Sequence, residues 1–384
     1  MVKSEKRKKP LLQRREGRRD MKIKILRSPF LEGLKTVQNV VASKTSLPVL
    51  QNVLLRAQGS TLEMTTSDLD MTVRTVVDCE VMEGGESTLP VKLLFSTMSK
   101  AAEGPVEIDI DENEQATLLA GSAKFNMTGL KASEFPQLPG FEDAKVLEVE
   151  NISLKEMLRK TAFAAATDDT RRPLLGVLLR FREGKFTMAA TDGRRLAMVE
   201  KEMEISPEAE TEIVLPSRAA QELLRALGGE GMVEIDIKNN QACFKFGKTA
   251  IYSKLIDEVY PNFEQVIPRN HPECVTVDRV ALIEALERAS IVSVAASIST
   301  HFVFENGVLS VSASSIEIGA AKDQLPIKYS GEKIEINFNP VYILDALKSI
   351  DDDEVKIELK DGYCPGVIRC SIPYLYVIMP LRIG

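Results

Sequence analysis

The chain has 384 residues, 44% hydrophobic and 27% charged, a balance that suits a soluble globular protein and a length that exceeds one ordinary core, so two or three domains are expected. No apolar run nears the roughly 18 to 20 residues that span a bilayer and no apolar signal core opens the N-terminus, so no membrane partner is expected and the cytoplasm is the expected location. The formal charge of −7 is uneven: residues 1 to 20 carry nine Lys/Arg against three Asp/Glu, and the remainder carries forty against fifty-three.

The residues of common hydrolytic and metal chemistry are scarce. Cys79, Cys243, Cys274, Cys364 and Cys370 form no CxxC pair, and His271 and His301 are the only histidines, so neither a zinc site nor a Cys/His dyad can be assembled. The thiols are expected reduced and buried, with no metal and no cofactor. A GxxxxGK[ST] loop is also missing, which argues against direct ATP handling.

In chain order, the basic stretch 1–20 reads as a disordered extension or as sequence upstream of the natural start, although such a tail could also bind nucleic acid. Met21 then opens a strand-like "MKIKIL". A helix is predicted within Ser28 to Leu50, a strand pair in "NVLLRAQGSTLEMTTSDLD", a second helix in "LPVKLLFSTMSKA", and another strand pair ending near Pro136. The same order returns at Ser153 to Leu175, "GVLLRFREGKFTMAATDG", "LPSRAAQELLRALGG" and a strand pair ending near Pro261. It returns again from Asp278 to the C-terminal "PYLYVIMP". Matching landmarks lie 124 to 126 residues apart, which makes this one α+β unit written three times. Gly59, Gly184 and Gly307 are predicted at hairpin turns. Ser153 with Glu156 reads as a capping box, and a proline stands near the start of each second helix.

One phrase occurs twice. "TTSDLDMTV" (Thr65 to Val73) and "AATDGRRLAM" (Ala189 to Met198) occupy the same strand-turn of units one and two, so Asp68 and Asp192 are expected to shape a turn. Two other readings stand beside this: a phosphotransfer or hydrolase enzyme using Asp192 or the Asp168–Asp169 pair, and a repeat scaffold that binds proteins without DNA. The enzyme reading finds no histidine or third carboxylate at a matching position in that unit, and the scaffold would need no inward bias of Lys and Arg.

The three units, with "LPVL" after the first helix, "ATDGRRLA" in the second unit, "FP" and "YP" before unit boundaries and a terminal "VIMPLR", resemble the bacterial DNA polymerase III beta subunit, the sliding clamp, over residues 21 to 384. The resemblance implies three tandem repeats of the DNA-clamp unit, two helices packed on antiparallel sheets, closing into a ring as a homodimer. Its boundaries are an extension at 1–20, clamp domain 1 at 21–144, domain 2 at 145–269 and domain 3 at 270–384. The implied function is a non-catalytic processivity clamp. It would encircle double-stranded DNA without sequence preference and bind DNA polymerase subunits, other proteins with clamp-binding motifs and a separate clamp loader.

The resemblance also assigns residues. DNA contact falls to Lys44, Lys92, Arg171, Arg172 and Arg218; Arg172 and Pro173 stand where some relatives have aromatic residues, which favours charge contact over stacking. Further cations on the helices, among them Lys155, Arg159, Lys160, Arg225, Arg279, Arg288 and Lys348, are expected to face phosphate. Chain contacts fall to Phe125 and Met127 against Ile291 and Val292. The partner-peptide cleft is Leu174, Thr191, Gly193, Arg194, Arg195, Leu196, Pro261, Val266, Asn339, Tyr342, Met379, Pro380, Leu381 and Arg382. There Leu196 and Met379 would provide apolar wall and the arginines would hydrogen-bond peptide carbonyls. The loop near Ser297 offers no aromatic residue to complete the cleft.

Overall fold

The computed structural model describes residues 21–41, 45–168, 171–269, 271–293, 299–315, 319–371 and 373–382. The extension at 1–20, Lys44 and the loop around Ser297 therefore lie outside the described residues. The chain divides into two compact units: residues 21–139 with 248–250, and residues 140–247 with 251–384. No helix among the described residues is long and apolar enough to cross a membrane.

The first unit holds one repeat. Strand Met21–Leu26 alternates buried and half-buried residues and leads into helix α1, Arg27–Val37, whose buried face is Phe30, Gly33, Leu34 and Val37. Helix α2, Val91–Lys100, buries Val91, Leu94 and Met98 at the same helical spacing. One antiparallel sheet runs in the order Glu80–Glu83, Met21–Leu26, Pro105–Ile110, Gln115–Ala120, Ala123–Thr128. The strands Asn52–Gln58, Thr61–Ser67, Met71–Asp78 and Gly85–Pro90 belong to a second sheet. At Gly33 an added Cβ would lie 2.1 Å from the tip of Met64, so glycine there lets α1 settle close to the sheet.

The second unit holds two repeats. Helices α3 (Asn151–Thr161) and α4 (Ser217–Ala226) serve one, and α5 (Arg279–Ser293) and α6 (Pro340–Ser349) the other. The repeats join through their sheets: the last strand, Tyr374–Ile378, pairs antiparallel with Arg195–Glu202, from Arg195 opposite Ile378 to Val199 opposite Tyr374. One twelve-stranded sheet thus runs across both repeats.

Local chemistry explains the hairpins and helix starts. Gly59, Gly184 and Gly307 all have positive φ, and Glu183 and Asn306 share it, the geometry of tight two-residue turns. Pro90 and Pro216 immediately precede α2 and α4, and Pro340 is the first residue of α6. Asp278 caps α5 by accepting the amide of Ala281 at 2.7 Å. The capping box expected at Ser153 and Glu156 does not form: α3 begins two residues earlier, and Ser153 donates its hydroxyl to the carboxylate of Glu150 at 2.6 Å. Strand Lys145–Glu150 runs straight into the helix, so Glu150 takes the N-cap position and Ser153 lies inside the first turn, where its hydroxyl cannot serve as a cap. Of the five thiols, all unbridged, Cys243 alone is buried; Cys274 is exposed because it sits on the outward position of an alternating strand.

Candidate peptide cleft and DNA-facing cations

The repeated phrase builds the same turn twice. Asp192 Oδ1 accepts the amides of Arg194 and Arg195 at 2.8 and 3.0 Å, and Asp68 Oδ1 accepts those of Asp70 and Met71 at 3.1 and 2.8 Å. One residue earlier, the Thr191 hydroxyl donates to the Arg195 carbonyl at 2.5 Å and accepts the Gly193 amide at 3.0 Å; Ser67 makes the matching pair with Met71 and Leu69. Both turns need a left-handed residue, supplied by Gly193 at φ 85° and by Leu69 at φ 78°. Each aspartate is therefore a turn former, with its Oδ1 occupied by two backbone amides.

The words that carry the resemblance are small apolar clusters. In the first unit Val49 and Leu50 of "LPVL" pack with Leu54 and Phe135. In the second, Leu174, Leu178, Tyr260 and Phe263 make the equivalent cluster, enlarged by Leu196 and by Val367, Leu375 and Val377 from the following repeat. The Tyr260 hydroxyl accepts the amide of Thr191 at 3.1 Å, and burial pushes its pKa above the usual phenol value, so it stays protonated.

Above this cluster lies a cavity of about 420 Å³ lined by Ala165 to Asp168, Arg171, Leu174, Asp192 to Arg195 and Tyr342. The chain end closes over the turn: the Met379 amide donates to the Arg194 carbonyl at 2.9 Å, and the Leu381 amide to the Asn337 carbonyl at 2.8 Å. Met379 is 44% exposed and Val266 55%, Pro261, Arg194 and Arg382 are exposed, and Pro380 and Leu381 are half-buried. Asn339 caps α6 by accepting the Val341 amide at 3.0 Å.

Three expectations change. Leu196 and Leu174 are 1% and 2% exposed, so they support the cleft from beneath; of the other apolar residues assigned to it, Met379 and Val266 are exposed. Arg195 does not point outward. Its side chain is 9% exposed, with Nε on Asp192 at 3.0 Å, Nη1 on Asp345 at 2.7 Å, Nη2 on the Phe163 carbonyl at 2.7 Å, and its guanidinium 4.3 Å from the Tyr342 ring centre. Burial opposes its charge, but Tyr376 and the two carboxylates outweigh that and hold its pKa above the usual arginine value. Finally, Arg171, assigned to DNA, lines the cleft cavity, with Nη1 3.4 Å from where a Gly193 Cβ would stand. Phe163, Asp345 and Tyr376 were missed, because each meets Arg195 only through tertiary packing.

Among the cations, Lys92 and Arg218 are exposed and hold the same place, second residue of α2 and of α4. Arg172 is exposed beside Glu258 at 3.7 Å. Several others expected to face phosphate are committed elsewhere. Lys160 is 3% exposed and paired with Glu156. Lys155 and Arg279 donate to the carbonyls of Leu227 and Asp352 at 2.6 Å each. Arg159, Arg225, Arg288 and Lys348 pair with Asp351, Glu222, Asp323 and Glu287. Of the residues assigned to a chain contact, Ile291 is 75% exposed, Phe125 and Val292 are half-buried, and Met127 is 5% exposed inside its own unit.

Repeated helix–sheet units, two of them joined strand to strand with a cavity beside the joint, are the architecture of the DNA-clamp class. Residues 21–139, 148–262 and 264–382 match the N-terminal, central and C-terminal domain families of the DNA polymerase III beta subunit. The chain is 32% identical over 366 residues to the beta sliding clamp of Chlamydia trachomatis, covering 95% of this chain and 88% of the relative. It is likewise 32% identical to that of Synechococcus elongatus, over 94% of this chain and 100% of the relative. Its fold matches the crystal structure of the DNA polymerase III subunit beta from Pseudomonas aeruginosa with a TM-score of 0.88 at 30% identity, over 94% of this chain and all of the other. A clamp from Bartonella birtlesii bound to griselimycin matches with a TM-score of 0.89 at 30% identity, over the same shares. The chain belongs to the bacterial DNA polymerase III beta subunit family: it is a sliding clamp, a replication processivity factor and not an enzyme.

Proposed function

We propose that the chain, with repeats at 21–144, 145–269 and 270–384, closes head to tail with a second copy into a ring around duplex DNA. The strand joint of the second unit carries this reading. There, the last strand of one repeat zips onto the strand that follows the turn of the repeat before. The equivalent last strand of the first repeat is Ala123–Thr128, which ends its five-stranded sheet. The equivalent receiving strand of the third repeat is Gly319–Lys328, whose second edge is met by Glu273–Asp278 only at Ile327 and Lys328. Joining these two edges between copies reuses one joint and makes a two-chain ring of six repeats. Phe125 lies on the donating strand and exposed Ile291 on α5, which packs on the receiving one.

A closed ring needs a separate ATP-driven loader, and its contacts with DNA are charge contacts through Lys44, Lys92, Arg172 and Arg218. A cation in the first turn of a helix works against the helix dipole, so Lys92, exposed in the first turn of α2, gains nothing for its helix there, and phosphate would be a favourable partner for it. The cleft takes short apolar peptides of polymerase subunits, of the loader and of other clamp-binding proteins, laid over the Asp192 turn against Met379 and Tyr342. Light scattering tests the ring: the proposal expects a mass near twice 42.5 kDa at micromolar concentration, and a mass of one chain overturns it.

A further inference from the structure

We infer that Arg195 is a positioning residue of the cleft, one that holds α6 and its Tyr342 at a set distance from the Asp192 turn. The inference rests on the reading of the cleft as the peptide site. Three of the five N–H donors of Arg195 are placed on Asp192, Asp345 and Phe163, and its guanidinium lies over Tyr342. Asp192 and Phe163 belong to the central repeat, Asp345 and Tyr342 to α6 of the last. The Tyr342 carbonyl is held in turn by the Tyr376 hydroxyl at 2.7 Å, and Tyr376 stands opposite Ala197 in the strand joint. Tyr342 is thus fixed at its ring by Arg195 and at its backbone by the joint.

The neighbouring arginine does the other half. Arg194 is exposed, lines the cavity and uses its carbonyl to anchor Met379. The two arginines of the turn therefore have separate roles: Arg194 faces the ligand, and Arg195 ties the two walls together. A forked guanidinium suits this because it reaches two carboxylates and a carbonyl at once while stacking on a ring, which an ammonium cannot. A second tie, Arg159 to Asp351, also joins the repeats, but beyond the far end of α6 and outside the cavity lining.

The test titrates a fluorescent peptide, taken from the clamp-binding segment of a replicative polymerase subunit, against full-length variants. Asp345→Asn, which removes the charge outside the cavity lining, is expected to weaken binding about 5- to 50-fold, the span of a coupling carried by position. Arg195→Lys keeps the charge but loses the fork and the stacking, and is expected to weaken binding at least as much as Asp345→Asn. The double variant Arg195→Met with Asp345→Asn should bind no worse than Arg195→Met alone. Asp351→Asn should leave the affinity unchanged. Native affinity in Asp345→Asn overturns the inference, and so does equal weakening by Asp351→Asn, which would report general loosening. Asp345→Asn decides alone if Arg195→Met fails to fold. Equal binding by the native chain and one lacking residues 379–384 overturns the cleft reading itself, a separate result.

Discussion

The turn at Leu69 carries a cost that its twin avoids. Both turns need a left-handed residue, and Leu69 takes it with a side chain 48% exposed, so little burial compensates. An L-residue there loses about 1–2 kcal/mol, and glycine returns about 0.5–1 kcal/mol through its freer unfolded chain. Leu69→Gly should stabilise the first unit by about 0.5–1 kcal/mol, read as a higher urea midpoint of its transition. Gly193→Leu should destabilise by a similar amount and also push on Arg171, which a Cβ would approach to 3.4 Å. A lower midpoint for Leu69→Gly would mean that Leu69 makes a contact worth more than the strain.

At the scale of elements, the chain end forms one wall of the proposed cleft. Two backbone hydrogen bonds hold it, from Met379 to the turn and from Leu381 to Asn337, and strand pairing ends just before it at Ile378. Deleting residues 379–384 should leave that strand zipped while removing the Met379 and Leu381 side chains. With about 1.5–3 kcal/mol for each fully buried side chain and less for partial burial, the peptide loses roughly 2–5 kcal/mol. A micromolar peptide would then bind at about 30 μM or weaker, measured by fluorescence titration with the chain mass checked in parallel. Unchanged affinity in the truncated protein would reject the cleft. Helices show a similar dependence on their neighbours: Lys160, placed on a lining face by helical spacing, is buried because α3 packs there and Glu156 neutralises it one turn away.

Over the whole molecule, ring closure and DNA retention make two predictions. Ile291→Asp places an unpaired charge where the proposed chain contact is apolar. It should yield single chains at micromolar concentration by light scattering; a persistent dimer would move the interface elsewhere. Binding to linear DNA should weaken steeply with salt and ignore sequence, as phosphate contact dictates, whereas a loaded closed circle should retain the clamp in high salt. Equal salt sensitivity on both forms would argue against encirclement.

Periodicity and repetition alone determined the three units, their helices and hairpins, and the role of Asp68 and Asp192, because these depend on contacts a few residues apart. The turn aspartates bind amides two and three positions on, and the hairpin glycines answer to local φ. Which cations are available could not be read that way. Arg195 meets an aspartate 150 positions on and Arg159 one 192 positions on, pairings that exist only once two repeats share a sheet. The family resemblance implied Leu196 in the cleft wall and Arg171 on DNA; packing buries the first beneath the floor and puts the second at the cavity. An apolar side chain at a joint is buried by whichever surface reaches it first, and a long cation extends to the nearest group that satisfies it. Both outcomes are decided by tertiary neighbours, which no local pattern encodes.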